Sequence, residues 1–320
     1  MTHQHPKVEN HCHFGGMLSP ELIHKIAGDQ LGLSVDEIRN KLVCQQWGED
    51  FYHFLDRFNV LNGVVWTPTM LETAIHDVCH NLSKQGVSAA AISLSLNKYI
   101  NKNMGLEDVV EIAGRSFSQA ADTYGVECNL LLSLRYKDLF EDKSADILLK
   151  NLDEAGAFKL FCGIDIVGDE MCVNRKNIFA TMRAWKDRGK TTRIHAGELD
   201  KTGGSIQLAI DAGVSRIAHG THATDEQWAQ MAEKGIVCDM ALNSNMILGF
   251  VSDIRNHPIK KAVEHNCIVT ISSDDPVVFN CTLDDEYRLL RSANILSDTD
   301  IDNIARNSWI YRIRPNQNKK

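Results

Sequence analysis

The sequence predicts an α/β fold in which eight parallel strands and their helices form a (β/α)8 or TIM barrel. Six helix-like segments each end at a glycine that is followed by a short apolar run, and a seventh ends at Asn266, which also tolerates a left-handed backbone. With the opening strand, these seven junctions make eight strands, and right-handed crossovers close such strands into a barrel of about 250 residues. A doubly wound open sheet is the alternative fold. The six junction glycines are Gly86, Gly125, Gly156, Gly189, Gly213 and Gly235.

The first crossover is longer than one helix requires, and we predict a helical insertion over about residues 17–85. Ser34, with Glu37 three residues later, is a capping box at the start of one of its helices. Four apolar residues recur at helical spacing and predict either a lid over the barrel mouth or an ordinary buried helix face: Phe51, Phe54, Leu55 and Phe58. No linker divides the chain, so we expect a single domain over residues 1–320. The predicted helices are Pro20–Ala27, Ser34–Cys44, Phe51–Leu61 and Thr69–Gln85.

Composition narrows the class of protein. The formal net charge of the 320 residues is −8 at pH 7, and no basic stripe is interleaved with aromatic residues, which argues against a nucleic-acid partner. The nine cysteines are an odd number without a Cys-x-x-Cys pair, so we expect free thiols in a reducing cytoplasm. The polar residues 1–6 contain no apolar signal core ahead of the first motif, and no later stretch approaches the length of a membrane span, so we expect no membrane partner.

Four short strings supply the side chains of a catalytic metal centre: His11-Cys12-His13, His195-Ala196-Gly197-Glu198, His219-Gly220 and Ser273-Asp274-Asp275-Pro276. Each falls at the carboxyl end of a predicted strand, the face on which such barrels build active sites. His11 and His13 are two residues apart on an extended chain, so both point into the barrel mouth. Imidazoles and carboxylates around one open position are typical of a catalytic zinc.

These strings also have ordinary structural explanations. A lone buried histidine is more often a core residue than a ligand, and Asp274-Asp275 could cap a helix ahead of Pro276. A His-x-His that ends the first strand, followed later by His-Ala-Gly-Glu, favours the metal centre. His76 and His80, four residues apart, could chelate a metal on a helix face, but no third ligand accompanies them, which favours a solvated face.

In chain order, these strings and two further segments resemble the adenosine deaminase family of the metal-dependent amidohydrolases. The resemblance runs from about Lys7 to Tyr287. Each string is weak by itself, whereas five in the family's order are specific. The strings are Val8–His13, Gly163–Glu170, Arg193–Glu198, Ala218–Gly220 and Ser273–Pro276, and the further segments are Phe54–Phe58 and Asn256–Pro258.

The resemblance implies one Zn²⁺ per chain, with water completing the metal shell. By matching motif, the metal ligands are His11, His13, His195 and Asp274. These nitrogen and oxygen ligands suit a zinc that lowers the pKa of bound water from about 15.7 towards about 7. His13 is also expected to contact the substrate.

The resemblance also implies the catalytic groups. Asp275 would orient and deprotonate the water and contact the substrate, and His219 would stabilise the developing oxyanion. Glu198 would be protonated and donate to a purine ring nitrogen, so that ammonia can leave from carbon six. A water-poor pocket can raise the pKa of this carboxyl group as required.

Two glycines bear on the substrate. Gly168, at the end of the fourth strand, would let the backbone and the substrate approach closely, although it could also be an ordinary loop glycine. Members of the family that act on free bases tend to carry serine there, so Gly168 favours a nucleoside. Gly15 departs from the family, whose nucleoside enzymes hold the ribose 5′-hydroxyl with an aspartate. The absence of this aspartate removes a charge-assisted hydrogen bond worth about 1.5–3 kcal/mol and leaves space for a 5′ substituent.

We therefore expect hydrolytic removal of the 6-amino group from an adenosine-like purine nucleoside, a small molecule. The alternatives are a deaminase of another aminated purine or heterocycle, such as free adenine or a 5′-modified adenosine, and a non-enzymatic barrel that only binds. Glu198, His219 and Asp275 argue against the last, because a binding protein has no need of an acid and a base together.

Overall fold

Eight parallel strands form a single sheet in chain order in the computed structural model, which describes residues 5–141 and 144–315. Each strand pairs with the next in the sequence, so the order never reverses as it does in a doubly wound sheet. The strands are β1 (Lys7–His13), β2 (Val87–Leu94), β3 (Glu127–Arg135), β4 (Gly163–Val167), β5 (Thr191–Ala196), β6 (Arg216–His219), β7 (Val237–Met240) and β8 (Ile268–Ile271).

The first and last strands meet at a seam just beyond the end of β8. The His13 N–H donates to the Asp274 carbonyl at 2.9 Å, and the Asp274 N–H donates to the His11 carbonyl at 3.0 Å. These two hydrogen bonds bring the sheet round on itself. The predicted TIM barrel is confirmed, and the open-sheet alternative is wrong.

Helices alternate with the strands and surround the barrel. They are α1 (Pro20–Leu31), α2 (Val35–Leu42), α3 (Phe51–Arg57), α4 (Pro68–Lys84), α5 (Leu106–Tyr124), α6 (Ser144–Glu154), α7 (Ala157–Leu160), α8 (Arg175–Asp187), α9 (Gly204–Ala212), α10 (Asp225–Lys234), α11 (Leu242–Ile247), α12 (Ile259–Glu264), α13 (Leu283–Ala293) and α14 (Asp298–Ile310). Short 3-10 helices occupy Phe14–Met17, Phe58–Leu61, Leu96–Lys98, Tyr136–Leu139 and Ile254–Asn256.

All seven predicted junction residues have a left-handed backbone, with φ between 64° and 72° at the glycines and 58° at Asn266. This conformation ends a helix at little cost only for glycine or asparagine. One junction differs from its prediction. Gly156 is followed by the one-turn helix α7 instead of a strand, and β4 begins only at Gly163.

The insertion between β1 and β2 has a helix at each of the four predicted places. Ser34 and Glu37 form the predicted capping box at the start of α2. Asp50 caps α3 by accepting hydrogen bonds from the backbone N–H groups of Tyr52 and His53. This helix ends at Arg57, earlier than predicted, and continues as a 3-10 turn.

A buried arginine links four strands inside the barrel. Arg193, on β5, is 0% exposed. Its Nη2 donates to Asp165 Oδ2 on β4 at 2.7 Å and to Ser93 Oγ on β2 at 2.7 Å. Its Nη1 donates to the Asn10 carbonyl on β1 at 2.6 Å. Since burial of an isolated charge is costly, these partners are what make the arginine tolerable there.

Within residues 5–141 and 144–315, no helix is both long and apolar enough to cross a membrane.

Replacement of Arg193 by Met should destabilise the barrel, because Asp165 would keep a buried charge without its cation. We expect the free energy of unfolding to fall by about 3–5 kcal/mol, as when one partner of a buried ion pair is removed. Urea unfolding followed by circular dichroism measures this change. The control is Arg306→Met on the exposed face of α14, where about 0.5 kcal/mol or less is expected. Equal losses in the two variants would contradict the role given to Arg193.

Candidate active site

The predicted metal ligands lie together at the carboxyl end of the barrel. His11 and His13 are on β1, His195 is on β5, and Asp274 lies after β8 at the seam. Their side chains are buried or half-buried, with 0% of His11 and 3% of Asp274 exposed. The barrel topology therefore brings together His11 and Asp274, which are 263 positions apart in the sequence (274 minus 11).

Three of these ligands form a compact triangle. His11 Nε2 lies 3.1 Å from His13 Nε2, and Asp274 Oδ1 lies 3.3 Å and 3.2 Å from these two nitrogens. Zinc–ligand bonds of about 2.0–2.1 Å in a tetrahedron give edges of about 3.3 Å. The three donor atoms therefore have the spacing that one tetrahedral metal ion requires.

His195 completes a potential four-ligand group, but with a carboxylate that the sequence did not suggest. His11, His13, His195 and Asp165 have donor atoms that all lie within 4.8 Å of one another. Asp165 Oδ1 lies 3.5 Å from His195 Nε2, and both atoms are buried without a hydrogen-bond partner among the described residues. Such atoms are uncommon in folded proteins unless an ion or water satisfies them. The donor set thus fits a divalent metal.

The electrostatics favour the protonation states that a metal requires at His11 and Asp274, but not at His13. Burial lowers the pKa of His13, but the nearby Asp275 and Asp274 outweigh it and raise this pKa to about 9. Burial, reinforced by the Arg193 charge, holds the pKa of His11 well below its usual value, so the imidazole is neutral. Burial opposes ionisation of Asp274, but the neighbouring His11 and His13 hold its pKa well below the ordinary range. Neutral imidazoles and an ionised carboxylate are the forms that bind metal.

His219 ends β6 and is oriented by two residues behind it. The Ile259 N–H donates to His257 Nδ1 at 3.2 Å, so the ring proton of His257 is on Nε2, which lies 3.2 Å from Asn245 Oδ1. Asn245 Nδ2 then donates to His219 Nδ1 at 3.2 Å. The remaining proton of a neutral His219 must therefore be on Nε2, 3.7 Å from Glu198 Oε1 and facing the cluster.

Glu198 is held by a carboxylate that accepts hydrogen bonds from four consecutive backbone N–H groups. Glu170, only 2% exposed, accepts from Gly197, Glu198 and Asp200 at 2.7 Å each, and from Leu199 between them. This arrangement fixes the turn after β5. It directs the Glu198 side chain towards His195 and His219, with its two oxygens 4.0 Å and 3.7 Å from their nearest nitrogens.

The environment of Glu198 favours its protonated form. Burial raises the pKa of its carboxyl group well above the usual value, and the negative charges of Asp274 and Glu170 act in the same direction. A protonated carboxyl group can donate a hydrogen bond at neutral pH.

Asp275 comes directly after Asp274 and is packed against a glycine. A Cβ atom at Gly16 would lie 1.8 Å from Asp275 Oδ1, so no other residue fits there without displacing the carboxylate. Burial raises the pKa of Asp275 to about 7, although the nearby charge of His13 opposes the shift. A carboxylate that titrates near neutrality can accept a proton and release it again.

A cavity of about 340 Å³ opens onto His13, His195, Glu198, Asp274 and Asp275. Its volume suits a small organic molecule. Gly168 and Gly15 both lie on its wall. Gly168 has φ of 82°, a conformation that favours glycine. One side is apolar and comes from the insertion, through Phe51, Tyr52, Phe54, Leu55 and Phe58.

The apolar residues fit the predicted buried helix face, whereas the lid over the barrel mouth stays a prediction. Phe51 and Phe54 are each 5% exposed and pack into the core, and Phe54 stacks on Phe279 with ring centroids 5.1 Å apart. Leu55 and Phe58 are less buried, and all four line the cavity.

Two residues of the site have a strained backbone. His219 has φ of 68° and Asp274 has φ of 62°, in the left-handed region that few residues other than glycine adopt, although asparagine, aspartate and histidine enter it more often than the rest. Such strain persists only where the surroundings hold it, and it is concentrated at functional sites.

Sequence reasoning did not find every residue that shapes the site. Asp165 and Glu170 lie within the string Gly163–Glu170, which was used only for family resemblance. His257 lies in the segment Asn256–Pro258, which was noted for similarity without a role, and Asn245 was given no role. The close approach of Gly16 to Asp275 left no signal in the sequence.

Comparison with known proteins agrees with this geometry. A sequence model of the adenosine deaminase family matches residues 6–320. The adenosine deaminase of Lactococcus lactis subsp. lactis is 28% identical over 291 residues, which cover 89% of this chain and 82% of that protein.

Two solved structures share the fold. A zinc-bound amidohydrolase from Burkholderia ambifaria has a TM-score of 0.83 at 19% identity, with 96% of this chain and 85% of the other covered. The N6-methyl-AMP deaminase of Arabidopsis thaliana has a TM-score of 0.79 at 18% identity, with 94% and 90% covered. Together with the family match over nearly the whole chain, the site shows that this protein belongs to the adenosine deaminase family and is a hydrolytic deaminase.

Proposed function

We propose that the protein removes the 6-amino group of an adenosine-like purine by hydrolysis, with one zinc ion per chain. The observation that carries this proposal is the meeting of a protonated Glu198 and a titratable Asp275 in one cavity with the histidine and aspartate cluster. An acid and a base on the same substrate are what hydrolytic deamination requires.

His11, His13, His195 and Asp274 would hold the zinc. Among the described residues, the three histidines share a donor group with Asp165, whereas Asp274 is grouped with His11 and with His13, so Asp165 would replace or assist one of the four. When bound, zinc supplies Lewis acidity, which lowers the pKa of water from about 15.7 towards about 7. The family match and the donor set both support a metal, and the zinc in the Burkholderia ambifaria structure supports this choice.

The other steps belong to protein side chains. Glu198 donates a proton to a purine ring nitrogen, which makes carbon six more electrophilic. Asp275 takes a proton from water as its oxygen bonds to carbon six. His219 donates from Nε2 to the developing oxyanion. The carbon–nitrogen bond then breaks as Asp275 returns its proton to the amino group, which leaves as ammonia. The second proton of the water leaves the new hydroxyl group as the carbonyl forms and restores Glu198, while the ring nitrogen keeps the proton that Glu198 donated.

The lining of the cavity supports a purine nucleoside as the substrate in preference to a non-purine heterocycle. It also supports catalysis in preference to a protein that only binds its ligand. Gly168 leaves room for close contact with the substrate, and the apolar side chains of α3 would cover its face. In this proposal α3 acts as a lid that excludes water, within a single domain over residues 1–320. The cytoplasmic location and the absence of a nucleic-acid partner stay predictions.

A panel of 6-aminopurines, with ammonia release as the readout, tests the proposed activity in the wild-type enzyme and in Glu198→Gln. Glutamine keeps the shape but cannot transfer a proton, so we expect the variant to lose about 10²–10⁴ in kcat while retaining its metal. Glu154→Gln, whose side chain is 63% exposed on α6, should be unaffected. If Glu198→Gln turns over as fast as wild type, Glu198 is not the acid.

The zinc site is tested with Asp274→Asn, since asparagine tolerates the left-handed φ of this position. Loss of the charged ligand should weaken zinc binding by more than about 10-fold, because even residues behind the ligands contribute about 10–100-fold. Atomic absorption after dialysis against a chelator series measures the affinity. Asp302→Asn, exposed on α14, is the control, and full zinc retention by Asp274→Asn would rule out Asp274 as a ligand.

Asn245→Asp tests how His219 is oriented. An ionised aspartate cannot donate to His219 Nδ1, so the ring proton should move to Nδ1 and Nε2 should lose its donor. We expect kcat to fall by about 10²–10⁴, the range known for misplaced histidine tautomers and acid–base groups, with KM and zinc content nearly unchanged. Asn151→Asp, exposed on α6, is the matched control. A parallel loss of zinc or of folded protein would instead indicate a structural role.

A further inference from the structure

We propose that Glu286, on α13, is a positioning residue for the deamination. Its buried carboxylate fixes the first turn of α11, which places Asn245 against His219. Glu286 does not line the cavity. This inference rests on the proposed function, because it takes His219 as the donor to the oxyanion. It goes further by naming a residue that sets the rate without contact with metal, substrate or a reacting atom.

The helix α11 begins without a capping side chain of its own. Its N-cap residue is Ala241, which has no side-chain acceptor for the first backbone N–H groups. Glu286 supplies the missing acceptors. The Leu242 N–H donates to Glu286 Oε2 at 2.7 Å, and the Asn243 N–H donates to Oε1 at 3.1 Å. The Asn243 side chain donates to Oε1 as well, from Nδ2 at 2.9 Å, so one carboxylate determines where α11 starts.

The surroundings of Glu286 are specific for an acidic side chain. Glu286 is 0% exposed. Burial raises its pKa to about 8, whereas the hydrogen bonds from Asn243 and Leu242 favour the charged form. Since these neighbours all donate, the arrangement fits the ionised carboxylate, which accepts at both oxygens. An amide accepts at only one, and its NH₂ group would face the donors of α11.

The helix α11 is too short to hold its position by itself. It has six residues, less than two turns, and short helices are marginal without outside contacts. Asn245 is its fourth residue, and the Asn245 N–H closes the first turn by donating to the Ala241 carbonyl at 3.1 Å. A displacement of the capped residues therefore moves Asn245.

The contact between Asn245 and His219 is sensitive to such a displacement. Asn245 Nδ2 lies 3.2 Å from His219 Nδ1, at the long end of the range for N–H donors, about 2.7–3.2 Å. Asn245 Oδ1 also lies 3.2 Å from His257 Nε2. A small shift of α11 away from β6 would break the bond to His219 and leave this ring free to adopt either tautomer. Glu286 would thus decide, from outside the cavity, which atom His219 presents.

Steady-state kinetics of the zinc-loaded enzyme with adenosine test this assignment. Glu286→Gln should lower kcat by about 10- to 100-fold, the range for residues behind the reacting groups, with KM and zinc content nearly unchanged. Glu286→Asp keeps both acceptor oxygens on a shorter side chain, so it should lose less and gives the same comparison if glutamine prevents folding. Glu264→Gln, 60% exposed on α12, is the control and should match wild type. A parallel rise in KM or loss of zinc would overturn the proposal.

A double-mutant cycle with Asn245→Asp separates positioning from a general packing role. If Glu286 acts through Asn245, Glu286→Gln should cost less than about 3-fold in kcat in the Asn245→Asp enzyme, because the contact it supports is already lost. Equal losses in the wild-type and Asn245→Asp backgrounds would show that Glu286 acts by another route, and the proposal would be wrong.

Nitrogen-15 NMR of the histidine-labelled, zinc-loaded protein separates failure of this inference from failure of the proposed function, since it needs no turnover. The two ring nitrogens of a neutral imidazole are distinct, and their shifts report which one carries the proton. The His219 signal, assigned by its loss in His219→Asn, should show Nε2–H in wild type and a mixture with Nδ1–H in Glu286→Gln. That change supports the positioning role even if no 6-aminopurine is deaminated. An unchanged tautomer overturns the role and leaves the deaminase intact.

Discussion

The site depends on a buried ion pair inside the barrel. Arg193 and Asp165 compensate each other's charge at zero exposure, and the same guanidinium holds the Asn10 carbonyl and the Ser93 hydroxyl. Four strands are therefore tied at one level, two residues before His195. The pair also sets the electrostatics of the cluster, because the arginine charge helps keep His11 neutral while Asp165 approaches His195. Rigid strands carrying fixed charges are what a preorganised active site requires.

A second layer of polar residues then orients the groups that would react. Glu170 fixes the turn that carries Glu198, and Asn245 with His257 determines which nitrogen of His219 bears the proton. These contacts do not touch the cavity. They nevertheless decide whether the acid and the oxyanion donor present the correct atoms, which is why strained backbone at His219 can be maintained.

Local patterns in the sequence predicted the barrel and most of the central cluster. The junction glycines mark helix ends because their conformation is intrinsic to the residue, and His11, His195 and Asp274 occur in compact motifs at strand ends. The strand predicted directly after Gly156 was wrong, because a left-handed residue ends a helix without specifying whether a strand or another helix comes next. Asp165 could not be recognised, since its role depends on Arg193, 28 residues away, and on the pairing of β4 with β5.

The seam of the barrel links metal binding to the stability of the folded protein. The candidate ligands His11 and His13 lie on one side of it and Asp274 on the other, where two backbone hydrogen bonds join the chain's first and last strands. This contact spans the longest stretch of chain in the sheet, and its closure costs conformational entropy that grows slowly with the length of the stretch. A metal that binds both sides contributes its binding energy to that closure. Cellular metal supply would then control how long the folded enzyme survives, as well as how fast it works.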